Sequence, residues 1–133
     1  MMLLRDLISC IRRDYPDIKI VQGSRFLFRP PRTVVVGPGG EGDTLLLLHE
    51  VGHALSQAYT YRTGVERLKI EVAAWDKARE LCKQYGIEID EERVETELDS
   101  YRDWLHQKSR CPKCGLTRFQ RPSGEFVCPK CDL

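Results

Sequence analysis

The N-terminal segment places apolar side chains every three or four positions, which is the period of an α-helix. The residues on this face are Leu3, Leu4, Leu7, Ile8 and Ile11. The pattern ends at Tyr15-Pro16, because a proline disfavours helical geometry in the residue before it. The sequence therefore predicts an amphipathic N-terminal helix with one face packed on a core.

β-Branched and aromatic residues predominate in the three short segments that follow, as is typical of strands. They are residues 18–22 (IKIVQ), 25–30 (RFLFRP) and 33–37 (TVVVG), separated by Gly23-Ser24 and Pro30-Pro31. Glycine and proline favour turns at these separations. We predict a small, mostly antiparallel sheet after the first helix.

Helical patterning returns after the glycine-rich segment GPGGEGD. Asp43 or Thr44 can cap the first of these helices, which we expect to continue to about Tyr61. Gly64 separates it from a second long helix, which has no internal breaker before Gly86. The short connection predicts that the two helices are antiparallel neighbours.

A last helix is predicted to begin near Asp90, a suitable N-cap residue. Its apolar stripe consists of Val94, Leu98, Tyr101 and Leu105. Helices and strands that follow one another in this order indicate the α+β class. The length of 133 residues predicts one globular domain with a small appendage. The composition, with 41% hydrophobic and 31% charged residues, is typical of a soluble protein.

The N-terminus does not have the pattern of a secretory signal, because charges at Arg5 and Asp6 interrupt its apolar residues. Uninterrupted apolar runs such as 45–48 are far shorter than the roughly 20 residues that cross a bilayer. We therefore predict a cytoplasmic protein without a membrane partner.

The segment TLLLLHEVGHAL at 44–55 carries the clearest chemical pattern. His49 and His53 are four residues apart, so a helix presents both imidazoles on one face to a single metal ion. Glu50 directly follows the first histidine, where its carboxylate can take a proton from a zinc-bound water and later protonate a leaving amine. A core helix that carried three such groups by chance would bury them unfavourably. The pattern predicts a catalytic zinc site.

This HExxH arrangement resembles the zincin metallopeptidases, whose signature surrounds the motif with uncharged and apolar residues. The flanking residues of this chain comply: Leu47, Leu48, Val51, Gly52, Ala54 and Leu55. The resemblance implies a hydrolase that acts on a peptide or protein substrate.

Catalytic zinc usually has three protein ligands, so one more is needed. If the active helix ends near Tyr61 and the next helix returns antiparallel from Gly64, that helix draws level with His53 near Val72. Glu71 is the carboxylate at this level and is our predicted third ligand. A glutamate on a following helix is typical of gluzincins, and the segment EVAAW at 71–75 resembles that of minigluzincins. In these families an edge strand before the active helix binds the substrate backbone, and TVVVG has the corresponding position in the sequence.

The C-terminus contains Cys111, Cys114, Cys128 and Cys131, which form two CxxC pairs separated by thirteen residues. This spacing resembles a zinc ribbon, in which four thiolates hold a structural metal in a closed tetrahedral site. We therefore predict two Zn²⁺ ions, one catalytic and one structural. The predicted domains are a zincin-like peptidase domain at 1–107 and the ribbon at 108–133.

The ribbon is locally cationic although the formal net charge is only +1. Residues 108–133 carry six basic and two acidic side chains, whereas 88–103 carry eight acidic and two basic ones. This asymmetry favours a ribbon docked on the acidic last helix, and it also permits weak contact with nucleic acid. SprT-type peptidases likewise join HExxH to a zinc ribbon and act near DNA, but their histidine third ligand is missing here. The alternative function is thus a DNA-associated or regulatory protein with a latent or self-inhibited HExxH site.

Overall fold

A computed structural model describes residues 2–38 and 43–132 of the chain. Within this part of the chain the fold is α+β, as predicted, with four helices and two small sheets. The helices are α1 (Leu4–Asp14), α2 (Thr44–Ser56), α3 (Gly64–Tyr85) and α4 (Glu91–Ser109). Most of the glycine-rich loop predicted before α2 lies outside the described residues.

The sheet that precedes α2 has three strands: β1 (Lys19–Gln22), β2 (Leu27–Arg29) and β3 (Thr33–Val36). Their order is β1-β3-β2, so β3 is the central strand. β1 pairs with β3 in parallel over four residues, and β2 pairs with β3 antiparallel over three. The prediction of a mostly antiparallel sheet is therefore wrong for this sheet. β3 pairs with β1 along one edge and with β2 along the other.

The HExxH helix is shorter than predicted. α2 ends at Ser56, and Gln57 follows in the left-handed conformation with φ of 56°. A left-handed residue cannot continue a right-handed helix, so the chain leaves the helix there and not near Tyr61. The other predicted helix boundaries agree with the structure to within a few residues.

The chain forms two compact units, each built from separate stretches of sequence. The first unit contains residues 1–59 and 72–90, and the second contains 60–71 and 91–133. The border between them crosses α3 directly after Glu71. The predicted division at 107/108 concerns autonomous folding and stays a prediction.

The core of the first unit joins the sheet to the helices. Its fully buried side chains include Leu7 and Ile11 on α1, Val34 on β3, and Leu48 on α2. In the second unit, Val94 and Leu98 are buried on α4. None of the described helices combines the length and apolar character needed to cross a membrane.

Candidate metal centres

His49, His53 and Glu71 form a group whose potential ligand atoms all lie within 4.8 Å of one another. The two histidines are one turn apart on α2, and the glutamate comes from α3. This is the ligand set that the sequence predicted. Two imidazoles and one carboxylate suit zinc, which binds histidine nitrogen and carboxylate oxygen in catalytic sites.

Burial supports metal binding at this group. The exposed fraction is 8% for His49, 8% for His53 and 7% for Glu71. Removing a carboxylate from water is costly unless a positive charge or hydrogen bonds compensate it. A divalent cation held by the two imidazoles provides such compensation, so the residues present fit a zinc ion.

An aromatic ring stacks on each of the two imidazoles. The indole ring of Trp75 stacks on His49 with ring centroids 4.2 Å apart and planes 5° apart. The ring of Phe28, on β2, stacks on His53 with centroids 5.7 Å apart and planes 9° apart. These contacts restrict ring rotation and so prepare the histidines for a common ligand.

A glycine allows the two helices of the site to approach closely. A Cβ atom at Gly52 would overlap the carbonyl oxygen of Ala74. Gly52 lies between the two histidines on α2, and Ala74 precedes Trp75 on α3. His49 contacts Trp75, and Gly52, further along α2, contacts Ala74, which comes earlier on α3. The two helices are therefore antiparallel at this contact. This close approach brings the aromatic residue of α3 onto the HExxH face of α2.

Glu50 lies beside the predicted metal site. Its Oε1 atom is 3.4 Å from Nδ1 of His49, and its side chain keeps 12% of its exposure. The carboxylate is therefore close to one ligand without belonging to the ligand group. Such a position suits a proton acceptor for a molecule bound next to the metal.

Neighbouring acidic residues on α3 have other contacts. Oε2 of Glu66 accepts a hydrogen bond from the backbone N–H of Arg62 at 3.1 Å, so this carboxylate caps the start of α3. Asp76 pairs with Arg79 at 2.8 Å. Glu80 pairs with Lys77 at 3.1 Å. Glu71 is the member of α3 that joins the two histidines.

Sequence patterns did not reveal the role of the stacked aromatic residues. Trp75 has a usable signal, since it follows Glu71 by four residues and therefore shares its helix face. No sequence pattern relates Phe28 to His53, because Phe28 lies on a distant strand. The pairing of that strand decides which ring contacts His53. The prediction that TVVVG is an edge strand for the substrate backbone is wrong. β3 is central, and β2 is the edge strand that brings Phe28 to the site.

The four C-terminal cysteines form a second potential metal site. Sγ of Cys111 is 3.9 Å from that of Cys131, and Sγ of Cys114 is 3.5 Å from that of Cys128. A disulfide requires about 2.05 Å, so these sulfurs are not bonded to one another. Sulfurs at the corners of a tetrahedron around zinc, with bonds of about 2.3 Å, are about 3.8 Å apart. The cluster therefore fits a tetrahedral zinc site.

Backbone N–H groups point at sulfur atoms of this cluster. N–H groups of Lys130 and Cys131 point at Sγ of Cys128 at 3.4 and 3.3 Å. At Cys111, hydrogen bonds from the backbone of Cys114 and Lys113 lower the pKa of the thiol to about 6. Metal ligation requires the thiolate, so these N–H groups prepare the site for a cation.

The ribbon around the cysteines consists of β4 (Phe119–Gln120) and β5 (Phe126–Val127), which pair antiparallel. The guanidinium of Arg118 lies 4.4 Å from the ring centroid of Phe126 and donates to the carbonyl oxygen of Lys108 at 2.8 Å. The contacts between this arginine and the end of α4 therefore involve backbone carbonyl groups. Arg102 of α4 instead pairs with Glu95 and Asp99 of the same helix.

Comparisons with models of protein families, with curated proteins and with solved structures give no match for this chain. The two potential metal sites therefore rest on the geometry of the residues themselves.

Proposed function

We propose that this protein is a zinc-dependent metallopeptidase of the gluzincin type. The observation that carries the proposal is the grouping of His49, His53 and Glu71, with the carboxylate of Glu50 directly beside His49. The four cysteines would hold the second, structural zinc ion. Metal binding alone does not require a carboxylate at Glu50, whereas hydrolysis does.

The proposed reaction adds water across a peptide bond. Zinc, when bound, supplies Lewis acidity to the attacking water and to the substrate carbonyl group. Glu50 accepts a proton from the water as its oxygen attacks the carbonyl carbon. The same carboxyl group then donates the proton to the amide nitrogen as the carbon–nitrogen bond breaks. The products are a carboxylic acid and an amine, and Glu50 returns to its initial state.

We place the substrate backbone along the outer edge of β2. This strand is at an edge of its sheet, and Phe28 in its centre stacks on a metal-ligand histidine. An extended peptide can add to a sheet edge through backbone hydrogen bonds, which are independent of side-chain identity. Binding there would bring a peptide carbonyl near the histidine pair, and it replaces the predicted position at TVVVG.

The test compares Glu50→Gln with His53→Ala and wild type. Glu50→Gln should keep zinc at the histidine site, because it preserves all three ligands, but should abolish hydrolysis of a casein-type unfolded substrate. His53→Ala should lose both zinc and hydrolysis. Zinc content by elemental analysis and peptide release by mass spectrometry provide the two measurements. Wild-type cleavage by Glu50→Gln would contradict the mechanism.

A second candidate function is nucleic-acid contact by the ribbon. Phe119 is 53% exposed next to basic residues, and an exposed ring can stack on a base. Because Arg118 is engaged with Phe126 and α4 carbonyls, we expect only weak, salt-sensitive and sequence-independent binding. Fluorescence anisotropy with a labelled single strand tests this. Submicromolar, sequence-specific affinity would favour the nucleic-acid function over the peptidase.

A further inference from the structure

The ribbon contacts the start of the helix that carries Glu71. The backbone N–H of Gly64, the first residue of α3, donates a hydrogen bond to Oε1 of Gln120 at 2.8 Å. Nε2 of the same side chain donates to the carbonyl oxygen of Gly124 at 2.9 Å. The oxygen of the Gln120 amide therefore binds α3, while its nitrogen holds the side chain against the turn of its own hairpin.

The turn of the hairpin contacts the same segment. Gly124 has a φ of +97°, and a Cβ atom there would lie 2.7 Å from the carbonyl oxygen of Arg62. Glycine is required by this backbone conformation and also by this close approach. Two separate contacts thus connect the hairpin to the residues directly before and at the start of α3.

The hydrogen bond from Gly64 contributes to the N-terminal cap of α3. The first N–H groups of a helix have no partner within the helix, so side chains must satisfy them. Oγ1 of Thr63 accepts from the N–H of Glu66 at 3.1 Å, and the Glu66 carboxylate accepts from Arg62. Gln120 supplies the acceptor for Gly64 from outside the helix. The ribbon therefore contributes part of the N-terminal cap.

Contacts with α4 hold the same first turns of α3. A Cβ atom at Gly64 would overlap the side chain of Leu105. One turn further, the guanidinium of Arg67 lies 4.6 Å from the ring centroid of Trp104 and 5.5 Å from that of Tyr101. Residues 64–71 of α3 belong to one compact unit with α4 and the ribbon, so we expect a change at the hairpin to affect the start of α3.

Glu71 follows Gly64 by seven residues on this continuous helix. Seven residues at about 1.5 Å each correspond to two turns and about 10 Å. A helix of this length moves as a rigid body, so the position of its first turn determines where the Glu71 carboxylate lies. The ribbon is thereby connected to a ligand of the other metal site.

We infer that the ribbon is a positioning element for the histidine-site metal, with Gln120 as its positioning residue. This inference rests on the proposed metal-binding role of His49, His53 and Glu71. Metal held by the four cysteines orders the hairpin, since Cys128 directly follows β5, and β5 pairs with β4, on which Gln120 lies. The ordered hairpin caps α3 and keeps Glu71 within reach of the two histidines. Loss of either the hairpin or its metal weakens zinc binding at the histidine site.

The experiment measures zinc affinity at the histidine site of the full chain by competition with a chromophoric chelator. Gln120→Ala removes the acceptor for Gly64 and should weaken this affinity about fivefold, the effect of a lost helix cap. Gln120→Glu keeps an acceptor for Gly64 and should remain closer to wild type. Cys131→Ser removes a cysteine ligand and should weaken the histidine site at least as much as Gln120→Ala.

Gly124→Ala and Gly115→Ala provide a matched pair. Both glycines have a positive φ, but Gly124 faces Arg62, whereas the nearest atom to a Cβ at Gly115 is Nη2 of Arg110 at 3.7 Å. We expect weaker histidine-site affinity for Gly124→Ala and little change for Gly115→Ala. Faster hydrogen exchange of the Gly64 amide in Gln120→Ala, followed by NMR, would locate the change at α3.

The outcomes separate this inference from the proposed function. If wild type binds no zinc at the histidine site, the proposed function fails. If wild type binds zinc and both Gln120→Ala and Gly124→Ala bind it equally well, the positioning role is refuted while the metal site stands. Equal weakening by Gly115→Ala and Gly124→Ala, with metal still bound by the four cysteines in both, would show that the contact with Arg62 plays no part and would also refute it.

Discussion

The indole ring of Trp75 lies flat against the imidazole of His49, with ring centroids 4.2 Å apart. Trp75 is fully buried, and its Nε1 atom has no hydrogen-bond partner among the described residues. An indole N–H that is buried without a partner is unfavourable, so packing must account for tryptophan at this position. The ring packs against His49 and restricts the orientation of an imidazole that we propose as a metal ligand.

Replacing Trp75 separates packing from hydrogen bonding. Trp75→Ala should lower the free energy of unfolding by about 3–5 kcal/mol, as is usual for truncation of a large buried aromatic residue. Trp75→Phe keeps a ring against His49 and loses no hydrogen bond, so it should be clearly less destabilising and retain more zinc affinity. Urea unfolding and zinc titration measure both effects. Equal losses in the two variants would contradict a stacking role.

The identity of the third ligand can be tested with two glutamates on one helix. Glu71→Ala should reduce zinc affinity at the histidine site by more than the roughly 10–100-fold typical of supporting residues. Glu80→Ala should leave it unchanged, because Glu80 is exposed and pairs with Lys77. Competition with a chelator gives both affinities. A larger effect of Glu80→Ala would refute the assignment of Glu71.

Gly52→Ala should destabilise the protein although alanine is the better helix former by about 1 kcal/mol. The added methyl group would overlap the carbonyl oxygen of Ala74, and such overpacking typically costs about 1–3 kcal/mol. The helices must then separate, so zinc affinity should fall as well. Gly86→Ala is the control for zinc affinity: its methyl group meets no atom within 4 Å, but the left-handed backbone with φ of +68° should cost stability without changing zinc binding. Thermal unfolding with and without zinc compares the two. Unchanged zinc affinity in Gly52→Ala would argue against the close helix approach.

Alkaline pH should destabilise the protein partly through Tyr85. Burial, and then the hydrogen bond that its hydroxyl donates to Asp14 at 2.7 Å, raise the pKa of Tyr85 well above its ordinary value of 10. The folded state therefore retains the phenol proton more strongly than the unfolded state. This contribution is fully present below about pH 10 and is lost as the pH rises through the folded-state pKa.

Tyr85→Phe removes the group that titrates, so its free energy of unfolding should fall less steeply above pH 10 than that of wild type. Urea unfolding at several alkaline pH values measures the slopes. Identical slopes for wild type and Tyr85→Phe would show that the phenol does not contribute.

Two ligand groups should hold two zinc ions in each chain. Elemental analysis of the folded protein should give two equivalents of zinc. Cys111→Ser and His49→Ala should each give one, because each removes a ligand from a different site. One equivalent in wild type would eliminate one of the two sites.

The residues of both potential metal sites could be predicted from the sequence. A separation of four residues places His49 and His53 on one helix face whatever the surrounding fold, and CxxC spacing places two thiols on one turn of chain. Helix boundaries at Pro16 and Gly86 were also predictable, since these residues act through their own backbone geometry. Each of these features depends on neighbours within a few positions.

Tertiary structure decided the features that depend on distant residues. The strand order puts β3 in the centre and Phe28 of β2 against His53, although TVVVG reads as an edge strand from its position in the chain. Glu71 was predicted from a helix count that assumed α2 to reach Tyr61, whereas α2 ends at Ser56. The ligand group nevertheless forms, because the backbone contact at Gly52 sets the approach of α3.

The connection between Gln120 and Gly64 has no sequence signal, because the partners are 56 positions apart. Which distant groups meet depends on the entropy of closing the intervening chain and on the packing of all elements between them. Periodicity and motif spacing report only interactions within a helix turn or a short loop. The sequence by itself therefore determined which residues can bind metal, and the tertiary structure decided which side chains support them.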